Sequence, residues 1–226
     1  KGMRLTHKES ALESNLEASR REALKAFGSD LIYAEKFIAT PRHIEFQILG
    51  DGQGNAIHLN ERECSIQRRH QKVIEETPST AVSPKLRREM GEAAVAAAKS
   101  ICYKGAGTIE FILDAKGQFY FLEMNTRLQV EHPITELVTG IDLVREQIKI
   151  ACGRGLSFSQ NDISSRGHAI ECRIYAEDPA NHFLPQAGTI HLMQEPKIPG
   201  VRNDCGFKSG DNISTEYDPL ISKLVV

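Results

Sequence analysis

The sequence of 226 residues predicts an α+β fold, in which an antiparallel sheet with packed helices is followed by a β-rich tail. Three observations predict this class. Helical patterns occupy three separated segments, 10–27, 84–102 and 135–152, and a β-hairpin pattern lies at 108–124. After a polar stretch at 157–166, short apolar runs are interrupted by Pro and Gly. We therefore expect a domain boundary near residue 165.

Helix start and stop signals delimit the helical segments. Ser10 and Glu13 have the spacing of a capping box, and Gly28 supplies a C-terminal stop, so one amphipathic helix is expected between them. Pro84 is expected to begin the second helix, because proline is tolerated in the first helical turn. A third helix is predicted over 135–152, before two glycines.

Apolar stretches rich in β-formers predict the strands. The first two, 31–38 and 43–49, are separated by a Thr-Pro break, and a glycine-rich turn leads into a third at 56–60. The tail is expected to begin with a strand at 168–176, and the apolar run at 220–226 predicts another.

Composition excludes several classes of function. The 28 basic and 30 acidic residues give a net charge of -2, so no overall basic field attracts nucleic acid or a membrane surface. There is no run of about eighteen apolar residues that could span a membrane. The five cysteines are widely spaced without a Cys-x-x-Cys pair, which favours reduced thiols, with Cys64 as a small buried side chain.

Two glutamates are expected to face each other across the hairpin. A tight turn centred on 116–117 pairs Glu110 with Glu123. Directly opposed carboxylates repel unless one is protonated or a cation lies between them, and Mg²⁺ with nucleotide phosphates is a natural remedy. The alternative is a solvated polar sheet face. If the segment stays extended, the same face continues through Asn125, Arg127, Gln129 and Glu131.

Five short motifs occur in order along the chain. They are Glu-Lys at 35–36, Pro-Arg-His at 41–43, Glu-Arg-Glu-Cys-Ser-Ile-Gln-Arg-Arg-His-Gln-Lys at 61–72, Glu-Met-Asn-Thr-Arg-Leu-Gln-Val-Glu-His-Pro at 123–133 and Glu-Cys-Arg-Ile-Tyr-Ala-Glu-Asp-Pro at 171–179. With these motifs the sequence resembles the biotin carboxylases of the ATP-grasp superfamily over essentially its whole length.

The resemblance implies a domain organisation. We expect a remnant of the ATP-grasp lid subdomain at 1–34, the ATP-grasp core at 35–165 and the start of the biotin carboxylase C-terminal domain at 166–226. The family's N-terminal nucleotide-fold domain and much of its C-terminal domain would be missing. We therefore expect a partial enzyme that is inactive by itself.

The resemblance also implies which residues bind ATP and metal. The divalent metal ions, Mg²⁺ or Mn²⁺, would be held by Glu110, Glu123 and Asn125. The remaining nucleotide contacts would come from Glu35, Lys36, Phe37, Ile38, His43, Gln67 and His70.

A further set of residues would carry the chemistry. By resemblance, bicarbonate would be surrounded by Lys72, Arg127, Gln129 and Val130. Glu131 would be the general base that deprotonates bicarbonate for attack on the γ-phosphate, since bicarbonate is a poor nucleophile. Arg173 would lie beside the ureido oxygen of biotin.

Two other functions are open. One is another bicarbonate-activating ATP-grasp ligase, such as a carbamoyl-phosphate synthetase, against which the run at 127–133 argues. The other is a non-catalytic nucleotide-binding scaffold, which would not need to keep Lys72, Glu110, Glu123, Arg127 and Glu131.

The resemblance also implies partners and a compartment. They are a biotin carboxyl carrier domain, a carboxyltransferase subunit or domain and a second copy in a homodimer, in a bacterial cytoplasm or a mitochondrial matrix. The carboxyltransferase, outside this chain, would choose the final acceptor among acetyl-CoA, propionyl-CoA, methylcrotonyl-CoA, pyruvate and urea.

Overall fold

The computed structural model describes residues 3–226, which form two compact units. The first ends at Ala39 and the second begins at Thr40. The second contains a large antiparallel sheet with helices, so the predicted α+β class is confirmed. Within residues 3–226, none of the helices has both the length and the apolar character needed to cross a bilayer.

The first unit is built around helix α1, Leu12–Phe27, which follows a 3₁₀ turn at Glu9–Ala11. Its C-terminal end is the predicted one, because Gly28 adopts a left-handed conformation and its N–H bonds to the carbonyl of Leu24. The predicted capping box is wrong: Ser10 lies within the 3₁₀ turn, and no side chain among residues 3–226 caps α1.

The strand predicted at 31–38 is also wrong, because this segment has no regular secondary structure. Leu31, Tyr33 and Phe37 are 86%, 83% and 62% exposed. A β-rich composition stabilises a strand only when a neighbouring strand accepts its hydrogen bonds and its side chains are partly buried. Within residues 3–39 no strand lies beside this segment, and most of its side chains are exposed, although Ile32 and Ile38 are partly buried.

Antiparallel strands dominate the second unit. They are β1 Arg42–Asp51, β2 Ala56–Arg68, β3 Gln71–Thr77, β4 Lys104–Leu113, β5 Phe119–Asn125, β6 Ala169–Tyr175, β7 Glu177–Asp178, β8 Leu184–Pro185, β9 Gly188–Thr189, β10 Arg202–Cys205, β11 Asn212–Ile213 and β12 Leu220–Val225. Eight of them form one sheet in the order β10-β12-β6-β3-β2-β1-β4-β5. Strands β6, β10 and β12, which follow the polar stretch near residue 165, therefore belong to the same sheet as β1 to β5.

Helix boundaries in the second unit follow local capping. Helix α2, Pro84–Ser100, begins with proline as predicted, and the Ser83 hydroxyl accepts a hydrogen bond from the N–H of Leu86. The single helix predicted over 135–152 is wrong, because two helices occur instead, α3 at His132–Thr139 and α4 at Leu143–Ala151.

Gly140 explains the break between α3 and α4. Its φ of 71° is left-handed, and its N–H closes α3 on the carbonyl of Glu136. Asp142 then caps α4 by accepting from the N–H of Arg145.

Strand β1 is buried on both faces, and the two faces differ. Ile44, Phe46 and Ile48 form a core with α2. The alternate residues, Glu45 and Gln47, point to the opposite face and are fully buried. That second face is covered by α3 and α4, which contact the sheet through two smaller apolar clusters. The face of β1 that carries Glu45 and Gln47 therefore combines buried polar groups with the apolar clusters under α3 and α4.

Candidate active site

A row of charged residues crosses four neighbouring strands of the sheet. Strand pairing places Arg62 of β2 opposite Glu45 of β1, and Glu45 opposite Glu110 of β4. Glu110 in turn lies opposite Glu123 of β5, as predicted. The register shifts by one residue between Glu110 and Phe111, so the strand pairing nearer the turn differs by one residue from the predicted pairing.

Arg62 anchors this row from a fully buried position. Its Nε donates to Glu45 Oε1 at 2.6 Å, and its Nη1 donates to Gln47 Oε1 at 2.7 Å and to Thr135 Oγ1 at 2.9 Å. Its Nη2 donates to Thr108 Oγ1 at 3.2 Å. A buried cation is tolerated only when it is paired and its donors are satisfied. Arg62 thus fixes Glu45 and ties α3 to the sheet.

Lys72 brings three carboxylates together. Its Nζ donates to Glu45, to Glu110 Oε1 at 2.9 Å and to Glu131 Oε1 at 2.8 Å. Burial alone would lower the pKa of Lys72, but the surrounding carboxylates, Glu45 foremost, raise it well above its usual range. Lys72 is therefore a permanent cation at the centre of the cluster.

His43 lies beside Glu110 on the neighbouring strand. Its Nε2 is 2.7 Å from Glu110 Oε2, and Gln67 Nε2 donates to its Nδ1 at 3.1 Å. Because the Gln67 amide nitrogen is a donor, Nδ1 is the acceptor of this pair. Burial would raise the pKa of Glu110, but hydrogen bonds from His43 and Lys72, with the charge of Lys72, lower it to about 2. Glu110 is an anion at neutral pH.

The predicted metal-binding residues offer a suitable donor set. Asn125 Nδ2 donates to Glu110 Oε1 at 2.9 Å, which leaves the Asn125 carbonyl oxygen as a possible ligand. Glu123 is exposed, and no ion pair is assigned to it within residues 3–226. Two carboxylates and an amide oxygen on adjacent strands are oxygen ligands of the kind that Mg²⁺ prefers. The donors thus fit a hard divalent cation.

Glu131 is buried between two cations. Its Oε1 accepts from Lys72, and its Oε2 accepts from Arg173 Nη2 at 2.8 Å. The segment from Asn125 to Glu131 does not stay extended, so the strand face does not continue to Glu131: β5 ends at Asn125, and Glu131 occupies the N-cap of α3. Pro133 in the first turn of α3 favours helix over a continued strand.

The loop between β5 and α3 carries the other residues expected around bicarbonate. Arg127 is exposed and donates through Nη1 to Gln129 Oε1 and to the carbonyl of Leu128, each at 3.2 Å. Gln129 is buried, and its Nε2 has no hydrogen-bond partner within the described residues. The carbonyl of Val130 accepts from Lys223 Nζ. The loop therefore offers a guanidinium and an unsatisfied amide donor, both suited to an anion.

His70 and four residues of the first unit complete the predicted nucleotide-binding set. His70 is exposed, and together with Arg69 it forms the tight turn between β2 and β3, where both have positive φ. The remaining four belong to the first unit, where they lie outside helices and strands: Glu35, Lys36, Phe37 and Ile38. Their contacts with a nucleotide stay predictions.

A pair of buried glutamates was not identified from the sequence. Glu75 of β3 lies opposite Glu171 of β6, and both are fully buried. Glu75 Oε1 accepts from Arg173 Nε at 2.7 Å. Burial is the largest influence on both carboxyls, and it raises the pKa of Glu75 to about 7 and that of Glu171 to about 8.

Glu45 and Arg62 were missed too, although the sequence carries a signal for Glu45. Polar residues alternate with Ile44, Phe46 and Ile48 along β1, so Glu45 must share a face with His43. Arg62 is identified only by the pairing of β2 with β1.

Comparisons with known proteins agree over the whole chain. Residues 1–159 match the family described as "Carbamoyl-phosphate synthase L chain, ATP binding domain", and residues 171–226 match "Biotin carboxylase C-terminal domain". The methylcrotonoyl-CoA carboxylase subunit alpha of Rattus norvegicus is 55% identical, over 100% of this chain and 32% of that protein. The biotin carboxylase of Allochromatium vinosum is 53% identical, over 100% of this chain and 50% of that protein.

A solved structure also matches this chain over its whole length. The biotin carboxylase domain dimer of Hydrogenobacter thermophilus 2-oxoglutarate carboxylase, in complex with MgADP, ADP and bicarbonate, superposes with a TM-score of 0.90 at 51% identity. The match covers 100% of this chain and 50% of that chain. The chain thus spans about a third to a half of the relatives it matches.

Proposed function

This chain belongs to the biotin carboxylase family, and we propose that the enzyme of which it forms part is a ligase that carboxylates biotin with bicarbonate and ATP. The observation that carries the proposal is the position of Glu131, buried between Lys72 and Arg173 and next to an oxygen donor set on β4 and β5. ATP and Mg²⁺ or Mn²⁺ are the proposed cofactors, and biotin on a carrier domain is the proposed substrate.

In the first step, Glu131 would remove the proton from bicarbonate. A carboxylate is a suitable base here because the nucleophile must be deprotonated close to cations that offset its growing charge. Arg127 and the unsatisfied Nε2 of Gln129 would bind the anion, since both are donors on the loop that ends at Glu131. Lys72 keeps a positive charge beside the base throughout.

Phosphoryl transfer would then join bicarbonate to the γ-phosphate and release ADP. This step needs positioning and charge neutralisation more than covalent chemistry from the protein. Glu110, Glu123 and Asn125 would hold the divalent metal, which when bound neutralises the phosphates. His43 and Gln67 would contact the nucleotide from the side chains next to Glu110.

Carboxyphosphate formed in this way would release CO₂ and phosphate. The phosphate would remove the proton from the biotin ureido nitrogen, and Arg173 would stabilise the negative charge on the ureido oxygen while the nitrogen attacks CO₂. Its guanidinium already contacts Glu131, which supports a position beside the same reactants. His70, Glu35, Lys36, Phe37 and Ile38 are proposed as further ATP contacts.

We also propose the organisation of the parent enzyme. Residues 1–34 would belong to the lid subdomain, 35–165 to the ATP-grasp core and 166–226 to the C-terminal domain. The partners would be a biotin carboxyl carrier domain, a carboxyltransferase and a second copy of the enzyme. The relatives include mitochondrial and bacterial proteins, so the proposed compartment is the mitochondrial matrix or a bacterial cytoplasm.

The test is ADP release by the full-length enzyme, measured with bicarbonate and with or without free biotin. We expect biotin to stimulate release, and Glu131→Gln and Arg127→Ala each to reduce the stimulated rate by about 100-fold or more. Glu146→Gln is the matched control. Glu146 is also a buried glutamate, but it lies on α4 and its ion pair is with Lys149, outside the charge cluster around Lys72.

A second candidate is a carbamoyl-phosphate synthetase-like ligase, which residues 1–159 favour by their family match. ADP release that depends on bicarbonate and ammonia but not on biotin would support this candidate. Absence of ADP release under both conditions would support a non-catalytic scaffold.

A further inference from the structure

Glu75 and Glu171 form a carboxyl pair that the proposed chemistry does not use. The two residues face each other across β3 and β6, and Val225 lies opposite Glu171 on its other side, on β12. All three are fully buried. Directly opposed side chains in an antiparallel pair have Cβ atoms about 5 Å apart, so the carboxyl groups lie within reach of each other.

The hydrogen bonds of this pair are incomplete if both groups are ionised. Glu75 Oε1 accepts from Arg173, but Glu75 Oε2 and both carboxyl oxygens of Glu171 have no partner within the described residues. Buried acceptors without donors are costly, and two adjacent buried anions are costlier. One proton on Glu171 resolves both problems, because its O–H donates to the free oxygen of Glu75.

The surrounding charges place this proton on Glu171 instead of Glu75. Glu75 has a direct ion pair with Arg173, which favours its anionic form. Lys223 on β12 lowers the proton affinity of Glu171 in part, but its ammonium is bound to the carbonyl of Val130 and lies 3.6 Å from Asp204.

The other elements around Glu171 favour its neutral form. Glu131, before α3, and Glu75 both raise the pKa of Glu171, whereas Arg173 lowers it, and burial has the largest effect. From α3 itself, Ile134 and Val138 contribute apolar surface to the cluster that contains Val225.

We propose that Glu171 is a neutral carboxylic acid that donates its proton to Glu75, and that this hydrogen bond keeps Glu75 paired with Arg173. Glu171 is then a positioning residue for the arginine that the proposed function places beside biotin, and this role rests on that function. Loss of the proton would put a third carboxylate, after Glu75 and Glu131, next to the Arg173 guanidinium. The arginine would be drawn from its place, and biotin carboxylation would slow at alkaline pH.

The proton itself is tested by infrared spectroscopy of the full-length enzyme, which detects the C=O stretch of protonated carboxyl groups. We expect a band that is present at about pH 7.5, above the pKa of Glu75, and disappears towards about pH 9 as Glu171 loses its proton. The band should be absent in Glu171→Gln and unchanged in the control Glu146→Gln, whose site is ion-paired with Lys149. A wild-type enzyme without the band, or a Glu171→Gln variant that keeps it, overturns the proposal.

The positioning role is tested by the pH dependence of kcat for biotin-stimulated ADP release. Glu171→Gln keeps a neutral donor, so it should match the wild type at neutral pH and lose the alkaline fall. Glu171→Met has no donor, and its kcat should drop about tenfold while the KM for ATP stays within about twofold. Equal kcat in both variants, or an unchanged alkaline fall in Glu171→Gln, overturns the positioning role.

The two readouts separate this inference from the proposed function. If the wild type shows no biotin-stimulated ADP release, the proposed function and the positioning role both fail, whereas the infrared band still decides whether Glu171 carries a proton. If release is normal and the band is missing, only the present inference fails.

Discussion

Replacing Arg62 by Met should destabilise the fold by about 3 kcal/mol at neutral pH. Arg62 is fully buried and hydrogen-bonds to Glu45, Gln47, Thr135 and Thr108. Methionine has a similar length but no charge. Methionine would leave the buried Glu45 carboxylate with Lys72 as its nearest cation. The neutral oxygens of Gln47, Thr135 and Thr108 would also lose the donor that they share.

The magnitude follows from the pKa of the Glu45 carboxyl, which is lowered from 4.5 to about 2. Burial alone would raise this pKa, but Arg62 and then Lys72 outweigh it. At about 1.4 kcal/mol for each pH unit, this net difference, to which Arg62 and Lys72 both contribute, corresponds to stabilisation on the order of 3 kcal/mol. Breaking a buried pair by removing one partner typically costs about 3–5 kcal/mol, which agrees.

The sign of the pH dependence is fixed by the direction of this pKa change. Because the folded-state pKa of Glu45 is lowered, its stabilisation is present above about pH 4.5 and is lost as the pH falls towards about 2. In Arg62→Met the carboxyl is more easily protonated. The difference in stability between wild type and variant should therefore shrink as the pH falls.

The assay is urea denaturation followed by circular dichroism at several pH values. Arg21→Met is the control, because Arg21 and its partner Glu17 are 71% and 64% exposed and such pairs contribute little. The double variant Glu45→Gln/Arg62→Met should recover part of the loss, since no buried charge is left unpaired. A loss below about 1 kcal/mol for Arg62→Met at neutral pH would refute the reasoning.

Three further predictions concern other parts of the fold. Gly91→Ala should lower the free energy of unfolding by about 1–3 kcal/mol in urea denaturation, because the added Cβ would lie 2.5 Å from His58 Nε2. Gly155→Ala is the control, because a Cβ added there meets no other atom within 4 Å. The wild type should lose stability as the pH rises from about 4.5 through about 8, because the folded-state pKa of Glu171 is raised to about 8, and Glu171→Gln should flatten this slope in the same assay. Glu123→Gln should raise the Mg²⁺ concentration for half-maximal ADP release about tenfold or more, and an unchanged requirement would exclude this carboxylate as a ligand.

The hairpin was predictable because its information is local. A tight turn fixes the pairing of the strands on either side, so Glu110 and Glu123 could be placed opposite each other from the sequence. The register shift after Glu110 could not be foreseen, because a bulge depends on packing against both neighbouring strands.

The charge cluster was only partly predictable because its members are distant in sequence. The motifs singled out Lys72, Glu131 and Arg173, but their mutual contacts depend on β3 pairing with β6 and on α3 beginning at His132. Alternation along a strand predicts which residues share a face, but not which strand is the neighbour. Glu171 was therefore left out of the predicted site, although it lies within a quoted motif.

The continuity of the sheet limits where the chain can be divided. Strand β3 lies between β2, from the same part of the chain, and β6, which follows the polar stretch near residue 165. A fragment that ended at this stretch would turn β3 into an exposed edge whose free N–H and C=O groups invite pairing with other chains. It would also leave Glu75 and Glu131 without the arginine they share. Protein engineers who want a minimal soluble core should therefore keep the strands of the tail.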